Sequence, residues 1–215
     1  MAERDKTTGR RYDASRRRAA AAQRRLVVVA AARTAFEKRG WAGTRIHDIA
    51  GAAGVSQKTV EALFGTKAAL LQAAVDYAIR GDIGPVPMPE RAAITEMERA
   101  PDAATMLKLH AHHLRTVNAR SARIATVVEQ AAADASVAAL WTRMNRNRAY
   151  AVRWATNTLL AKRGRRPGLA PTAVRAIFWV ALDWGTYRTL TTLAGLDDDC
   201  YEAWLHTYYT ATLLP

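Results

Sequence analysis

The stretch from Thr44 to Lys67, TRIHDIAGAAGVSQKTVEALFGTK, constrains the fold of this chain more than any other part of it. Its first half places apolar residues at the i, i+3, i+4 and i+7 positions of one helical face: Ile46, Ile49, Ala50 and Ala53. Gly54 follows, where a helix can end in the left-handed conformation that glycine adopts without strain. Ser56 can then cap a second short helix. Two helices joined by a glycine turn predict a helix-turn-helix, a motif that places its second helix in a DNA groove.

The second helix of this motif has two chemically different faces. Val60, Leu63 and Phe64 point inward by helical periodicity. The outward face carries the polar and small residues of the helix: Gln57, Lys58, Thr59, Glu61 and Ala62. Thr44 and Thr66 stand where their hydroxyls can cap the helices that begin next. The motif is therefore predicted to expose a recognition surface over a small apolar core.

The residues before the motif are basic and extend it into a domain. Residues 1–80 hold sixteen Lys or Arg against seven Asp or Glu, so most of the net charge of +13 lies in the first third of the chain. Residues 1–13 have almost nothing to bury and are predicted to be a disordered basic arm, which could also contact DNA. Residues 14–66 are predicted to form the DNA-binding domain, with one long helix that Gly40 ends. The charge asymmetry indicates a polyanionic partner.

The rest of the chain is predicted to be helical. Residues 67–80 form a connecting helix, which the segment 81–89 cannot continue because it holds three prolines and two glycines. Residues 81–215 then form a body, with helices predicted at 90–99, 102–119, 122–133, 135–163, 171–193 and 198–213. No stretch alternates as strands do, so the predicted fold class is all-α: a three-helix head followed by a helical body.

Cysteine content and hydropathy exclude several classes of protein. The single cysteine, Cys200, excludes an internal disulfide framework and a multi-thiolate metal site. No apolar run has the form of a signal peptide or the length of a membrane span, so the chain is predicted to be cytoplasmic. It has no Gly-x-Ser-x-Gly turn, and no glycine-rich loop precedes Gly65-Thr66-Lys67. We therefore expect neither an enzyme nor a bound cofactor.

The motif and its flanks resemble the TetR family of bacterial transcriptional regulators. The resemblance rests on residues at the family's spacing: Phe36, Gly40-Trp41, Thr44, Ile49-Ala50, Ala53-Gly54-Val55-Ser56, Thr59-Val60, Phe64-Gly65-Thr66-Lys67 and Leu70-Leu71. In that family the head binds double-stranded operator DNA as a dimer, the body holds a small ligand, and ligand binding releases the DNA. The resemblance implies the same organisation here, with residues 81–215 as the ligand-binding and dimerisation domain.

The resemblance also implies which residues contact DNA. Phosphate contacts would fall to Thr44, Arg45, Thr59 and Lys67, and hydroxyls and helix-start amides are suitable donors for them. Gln57 and Lys58 would contact base edges, because Gln can pair with adenine and Lys can donate to guanine. Glu61-Ala62 departs from the family, where many members carry an aromatic residue that donates to phosphate. Glu61 is either a solvent-facing partner of Lys58 or Lys67, or a specificity element that accepts from cytosine or repels wrong registers.

Aromatic and polar side chains of the body could line a small-molecule pocket. The candidates partly share helical faces: Met106, His110, His113, Leu114, Trp141, Met144, Asn145, Arg148 and Trp154. Such residues are equally common in an ordinary core, and both interpretations stay open. Arg148 and the histidines favour an anionic or polar aromatic ligand. No Cys, Asp or Glu at helical spacing completes a ligand set with His110, His112 and His113, so no metal site is predicted.

The last two predicted helices carry stripes that could form a dimer interface. On the first helix the stripe is Val174, Phe178, Ala181 and Gly185, and on the second it is Tyr201, Trp204, Leu205, Tyr208 and Thr212. Two helices from each subunit would make a four-helix bundle, unless the stripes pack onto the body instead.

The sequence thus predicts a homodimeric DNA-binding regulator, released as a repressor from a near-palindromic operator by an unknown small-molecule effector. An activator or a ligand-independent repressor is an alternative of the same class. A helical binding protein whose basic head contacts anionic membrane lipid is an alternative of another class.

Overall fold

The computed structural model describes residues 6–82, 84 and 86–215, with side chains from residue 19 onward. In that part of the chain every regular element is helical, as the predicted all-α fold requires. The α-helices are α1 Lys6–Gly43, α2 Ile46–Ala52, α3 Gln57–Phe64, α4 Lys67–Arg80, α5 Ala92–Arg99, α6 Ala103–Gln130, α7 Ala135–Leu160, α8 Pro171–Ala181, α9 Trp184–Arg188 and α10 Asp198–Leu213. A 3-10 turn, Met88–Glu90, precedes α5, and a π-helical segment, Thr189–Leu193, follows α9. None of the described helices is long and apolar enough to cross a membrane.

The chain divides into two compact units, a head that ends at Ala74 and a body of residues 75–215. The boundary lies inside α4, which has the bounds predicted for the connecting helix. Thr66 starts this helix, because its hydroxyl accepts from the Ala69 N–H at 3.0 Å. One continuous helix therefore contributes its first residues to the head and its last six to the body.

Apolar side chains from α1 to α4 make the core of the head. The fully buried ones are Val28, Val29, Ala32, Phe36, Ile49, Ala50, Val60, Leu70, Leu71 and Ala74. The Phe36 ring stacks on the Trp41 ring, with 6.0 Å between the centroids. Gly40 interrupts α1 with a φ of 68°, which is where the sequence predicted the long helix to end. Burial of each Val, Leu, Ile or Phe side chain among them stabilises the head by roughly 1.5–3 kcal/mol.

The first helix begins earlier than the sequence indicated. It starts at Lys6, so residues 6–13, predicted as part of a disordered arm, are its first two turns. The alanine- and arginine-rich segment that follows has high helix propensity and extends the helix toward the amino terminus. Residues 1–5 of the predicted arm lie outside the described residues.

The turn of the helix-turn-helix has the predicted glycine and the predicted cap. Gly54 adopts a φ of 65°, and its N–H donates to the Gly51 carbonyl at 3.1 Å. Ser56 caps α3 by accepting from the Thr59 N–H at 3.1 Å. The Arg25 guanidinium donates to the Leu63 carbonyl at 2.9 Å and lies over the Phe64 ring, which fixes the far end of α3 against α1.

Thr44 does not cap α2, contrary to the prediction. The N-cap residue of α2 is Arg45, and its side chain makes no capping hydrogen bond. The Thr44 hydroxyl points back instead and lies 2.7 Å from the Gly40 carbonyl oxygen and 3.2 Å from that of Ala35. Because the break at Gly40 leaves nearby carbonyls short of donors, Thr44 closes the end of α1.

The body is built around α6, which packs against α5, α7, α9 and α10. The sequence predicted two helices here, 102–119 and 122–133, whereas α6 runs without a break from Ala103 to Gln130. Ser121 lies fully buried at the expected break, and its hydroxyl donates to the Val117 carbonyl at 2.8 Å. A polar residue can therefore sit inside this helix because the helix itself supplies its partner.

The predicted helix at 171–193 is divided by Asp183. Its carboxylate accepts from the Thr186 N–H at 2.8 Å and caps α9, so the chain turns after Ala181. Gly185 belongs to the same turn, since a Cβ on it would lie 2.7 Å from Asp183 Oδ2. The final helix, α10, has its predicted bounds and is capped by Asp197.

Candidate functional site

The exposed face of α3 is the recognition surface of the head. Gln57, Lys58, Glu61 and Ala62 are exposed, whereas Val60 is buried. Gln57 Nε2 donates to Glu61 Oε1 at 2.8 Å, so Glu61 has a side-chain partner, Gln57, that the sequence did not indicate. Because a carboxylate only accepts, this bond turns the NH₂ group of the Gln57 amide toward Glu61 and sets the direction of its Oε1.

The amino-terminal ends of α2 and α3 carry two further predicted DNA contacts. Arg45 is exposed at the start of α2. Thr59 is half-buried, and its hydroxyl lies 2.8 Å from the Ser56 hydroxyl in the capping turn of α3. Both side chains lie where the positive ends of helix dipoles favour a phosphate.

Thr44 does not belong to this surface. It is 1% exposed, and its hydroxyl is directed at the carbonyls that end α1. The predicted phosphate contact of the Thr44 side chain is therefore not compatible with the structure, and its role is to hold the fold of the head.

Lys67 lies in the first turn of α4, with Nζ 4.2 Å from the centroid of the Trp41 ring. A cation over an aromatic face is held electrostatically by the ring. The predicted phosphate contact of Lys67 would thus start from an ordered ammonium group.

The body encloses a cavity of about 440 Å³, a volume within the usual range for small-molecule sites. Every residue that lines it belongs to the body. The lining consists of Val75, Asp76, Ile79, Arg80, Pro87, Met88, Pro89, Ile94, His110, His113, Leu114, Val117, Asn118, Arg143, Met144, Asn147, Arg148, Tyr150, Ala151, Trp154, Leu182 and Trp184.

Six of the nine predicted pocket residues line this cavity: His110, His113, Leu114, Met144, Arg148 and Trp154. Met106 is fully buried in the body core instead. The cavity-facing positions of α7 recur at three- and four-residue steps from Arg143 to Trp154. Asn145 lies off that face and donates to the carbonyl of Trp141, which precedes it. Met106, Trp141 and Asn145 therefore do not line the cavity.

An ion pair that the sequence did not indicate joins α4 to α7 at the cavity wall. Arg143 Nη2 lies 3.0 Å from Asp76 Oδ1, and Arg143 Nη1 lies 3.5 Å from Asp76 Oδ2. Both side chains are about one quarter exposed. The signal in the sequence was Asp76 itself, a carboxylate between the core residues Val75 and Ala78.

A second arginine of α7 connects the cavity with the α8–α9 turn. Arg148 Nη1 lies 2.8 Å from Asp183 Oδ1, and Nη2 donates to the Trp179 carbonyl at 3.1 Å. Its guanidinium also lies over the Trp179 ring, 4.6 Å from the centroid. Asp183 thus serves both α9, as its cap, and Arg148, as its counter-ion.

Two histidines give the cavity neutral polar groups. His110 Nδ1 lies 2.8 Å from the Tyr209 hydroxyl, and burial lowers the pKa of His110 to about 3. Burial likewise lowers the pKa of His113 to about 4, with a smaller contribution from the charge of Arg120. Among the described residues no group of three or more His, Cys, Asp and Glu is placed to share a metal ion.

The stripes predicted for a dimer interface are mostly core of the single chain. Val174, Phe178, Ala181, Tyr201 and Leu205 are each 0% exposed within one chain. Gly185 is half-buried and accommodates the Asp183 carboxylate of its own chain. Trp204, Tyr208 and Thr212 are half-buried, and the Trp204 and Tyr208 rings stack 5.5 Å apart. Five of the predicted interface residues therefore cannot reach a partner subunit.

Residues 28–74 match the sequence profile of a family described as bacterial regulatory proteins, tetR family. No curated protein matches the chain in sequence.

Solved structures share the fold over nearly their whole length. One is described as a TetR-family transcriptional regulator from Rhodococcus sp.; it has a TM-score of 0.63 at 18% identity, over 88% of this chain and 97% of its own. Another is NalD from Pseudomonas aeruginosa, the secondary repressor of the MexAB-OprM multidrug efflux pump, with a TM-score of 0.64 at 21% identity over 89% and 97%. A third is a transcriptional regulator from Saccharomonospora viridis in complex with choline, with a TM-score of 0.63 at 17% identity over 89% and 97%.

A polar helix presented by a glycine turn on a small three-helix core is the arrangement of a helix-turn-helix. The head thus matches the tetR family of bacterial regulatory proteins over residues 28–74, and the chain as a whole shares its fold with solved structures described as TetR-family regulators. The resemblance inferred from Phe36 to Leu71 is thereby confirmed.

Proposed function

We propose that the protein is a homodimeric repressor, which a small molecule bound in the body cavity releases from a near-palindromic operator. The observation that carries this proposal is the position of α4. Val75, Asp76, Ile79 and Arg80 line the cavity, while the residues that begin the same helix belong to the head. A ligand that changes the position of the last turns of α4 would act on the head through a continuous helix.

The DNA half of the proposal is supported by the face of α3. Gln57 and Lys58 are exposed in the first turn of the recognition helix, where base-edge contacts are made in this class of proteins. Arg45, Thr59 and Lys67 would contact the phosphate backbone. Ala62 is exposed, but its side chain has no hydrogen-bonding group. We therefore expect it to fit beside the groove without making a polar contact.

The ligand half is supported by the cavity and by two relatives. NalD is described as a repressor, and the Saccharomonospora viridis protein was solved with choline. A cavity of about 440 Å³ with apolar walls and a few polar groups is suited to a small organic molecule. The ligand acts only through a difference in its affinity for the DNA-bound and free conformations.

The dimer is proposed to form through the outward faces of α8 and α10, two helices that contact each other. Their exposed positions include small or apolar residues at Ala173, Ala176, Val180, Ala203 and Ala211, beside the polar Arg175, His206 and Thr207. Val180 is 44% exposed in the single chain. Small side chains let helices approach closely, so two such pairs can form a four-helix interface. The dimer would place two α3 helices roughly 34 Å apart, one turn of DNA.

The proposal is tested by selecting genomic DNA fragments bound by the purified protein and then screening small molecules that release the selected operator. A matched pair of α7 variants follows. Ala151→Trp fills the cavity, whereas Ala149→Trp adds the same side chain at an exposed position of the same helix.

We expect Ala151→Trp to bind the operator and to resist release, and Ala149→Trp to be released like the unmodified protein. Release of Ala151→Trp at the same ligand concentration would contradict the cavity as the ligand site. Tighter operator binding with ligand would contradict release of the operator by the ligand.

A further inference from the structure

The charges that line the cavity are predominantly positive. Three arginines, Arg80, Arg143 and Arg148, line it together with a single carboxylate, Asp76. The two histidines of the lining add no charge at neutral pH, because burial lowers the pKa of both. A cationic ligand would find the one lining carboxylate already bound to Arg143, while Arg148 is paired with Asp183, which does not line the cavity.

The arginines also retain hydrogen-bond donors for a further acceptor. The Nε atoms of Arg143 and Arg148 are buried and have no hydrogen-bond partner among the described residues. A buried donor without an acceptor is unfavourable, and an anionic oxygen is the strongest acceptor for a guanidinium. The lining thus holds guanidinium donors without an acceptor, although the side-chain oxygens of Asp76, Asn118 and Asn147 also belong to it.

The remainder of the wall is apolar and partly aromatic. Val75, Ile79, Met88, Met144, Trp154 and Trp184 line it. Such a surface binds a hydrocarbon or aromatic group, while a few charged side chains orient the polar end. The complementary molecule has an apolar body and one acidic group.

The acidic group of such a ligand has a defined competitor. Asp76 lies on α4 and Arg143 on α7, and the two bonds of their pair, 3.0 and 3.5 Å, are of unequal length. Both side chains are partly exposed, so water and a ligand can reach the pair. A carboxylate that binds Arg143 offers it the same geometry as Asp76 and leaves Asp76 without this partner.

We propose that the cavity takes a hydrophobic organic anion, whose charged group replaces Asp76 at Arg143 and so detaches the last turns of α4 from α7. This inference names the ligand class for the proposed function and rests on it for the consequence at the DNA, but not for the binding itself. The ligand thus breaks the ion pair between Asp76 and Arg143, which otherwise holds α4 against α7.

The test compares three probes that share one skeleton and differ in charge: 4-phenylbutyrate, 4-phenyl-1-butanol and 4-phenylbutylammonium. Their dissociation constants are measured by calorimetry with the full chain. One charge-assisted hydrogen-bonded pair is worth about tenfold or more in affinity, so we expect the carboxylate to bind at least about tenfold more tightly than either of the others.

Two variants change this preference in opposite directions. Arg143→Gln should remove the advantage of the carboxylate, while Arg146→Gln, an exposed arginine one turn along α7, should retain it. Asp76→Asn removes the competitor and should tighten carboxylate binding. A gain in affinity cannot result from a misfolded variant, so this arm decides the question even if Arg143→Gln is unstable.

Carboxylate binding no tighter than that of the alcohol or the ammonium, or absent at millimolar concentration, would overturn the proposal. So would carboxylate binding that is no tighter in a folded Asp76→Asn protein than in the unmodified one. The DNA readout is separate: if the carboxylate binds as expected but the operator is not released, the ligand class stands and the repressor mechanism fails. If only the ammonium compound releases the operator, the repressor mechanism stands and the proposed ligand class fails.

Discussion

Gln57 and Glu61 lie one turn apart on the exposed face of α3 and are hydrogen-bonded, with 2.8 Å between Gln57 Nε2 and Glu61 Oε1. The bond holds the Gln57 side chain in one orientation before any DNA is bound, which lowers the entropy lost on binding. The Glu61 carboxylate also places a negative charge on the face of α3 that would approach phosphates. Glu61 is therefore expected both to orient Gln57 and to weaken contact with DNA of the wrong sequence.

Replacing Glu61 by Gln should raise affinity for random-sequence DNA severalfold at low salt, because one negative charge leaves the DNA-facing surface. Affinity for the selected operator should rise less, since Gln57 loses its carboxylate partner. Fluorescence anisotropy across a salt series measures both. Glu129→Gln, at an exposed position in the body, is the control. Unchanged binding to random DNA across the series would contradict a repulsive role for Glu61.

Thr44 and Arg45 are neighbours with different expected roles. Thr44→Val removes a buried hydroxyl that serves the carbonyls at the end of α1, and should lower the unfolding free energy by about 1–3 kcal/mol. It should leave the salt dependence of DNA binding unchanged. Arg45→Ala should instead reduce the slope of log K against log salt by about one, with little change in stability. Chemical denaturation and salt titration together separate the two; a reduced slope in Thr44→Val would contradict the assignment.

The two faces of α8 should respond differently to substitution. Phe178→Ala removes a fully buried ring and should cost about 3–5 kcal/mol of stability, with no direct effect on subunit contacts. Val180→Glu puts a charge on the outward face and should raise the dimer dissociation constant at least about tenfold while leaving the fold intact. Analytical ultracentrifugation and thermal unfolding measure these effects. A Val180→Glu protein that sediments like the unmodified one would place the interface elsewhere.

His110 should make the body sensitive to acid. The unfolded chain binds a proton at this histidine below about pH 6.5, whereas burial holds the pKa of the folded His110 at about 3. The contribution of His110 to the unfolding free energy is therefore fully present above pH 6.5 and is lost as the pH falls from 6.5 toward 3. At pH 5 the loss is about 2 kcal/mol. His113, with a pKa lowered to about 4, acts in the same direction.

The corresponding measurement is urea denaturation at pH 7 and pH 5. His110→Gln should be less stable at pH 7, because the Tyr209 contact changes, but should lose less stability between the two values. His206→Gln, on the exposed side of α10, should follow the unmodified protein. Equal acid sensitivity in His110→Gln would show that another group titrates.

The local signals that sequence reasoning used well were glycines, caps and helical periodicity. Gly40, Gly54 and Ser56 have the predicted roles, because each depends on backbone geometry that a few neighbouring residues determine. The bounds of α4 and α10 follow from Thr66 and Asp197 in the same way. The all-α fold and the helix-turn-helix were predictable for this reason.

What sequence reasoning missed depends on contacts between residues far apart in the chain. Val174 and Phe178 form a stripe suited equally to a core or to an interface, and only the fold shows that α8 turns that stripe inward. Arg143 had no apparent role until Asp76, 67 residues earlier, was placed beside it. Asp183 divided a predicted helix because it caps α9 and also pairs with Arg148. Local periodicity contains no information about such partners.

The central claim is that the exposed face of α3 reads a specific DNA sequence, and a footprint tests it most directly. The unmodified protein, Lys58→Ala and Gln57→Ala are titrated onto the selected operator and onto a scrambled duplex of equal length, at several salt concentrations. We expect a salt-dependent footprint on the operator alone, and a loss of about tenfold or more in operator affinity for Lys58→Ala with little change on the scrambled duplex. Equal protection of both duplexes, or binding to anionic lipid vesicles without any footprint, would contradict it.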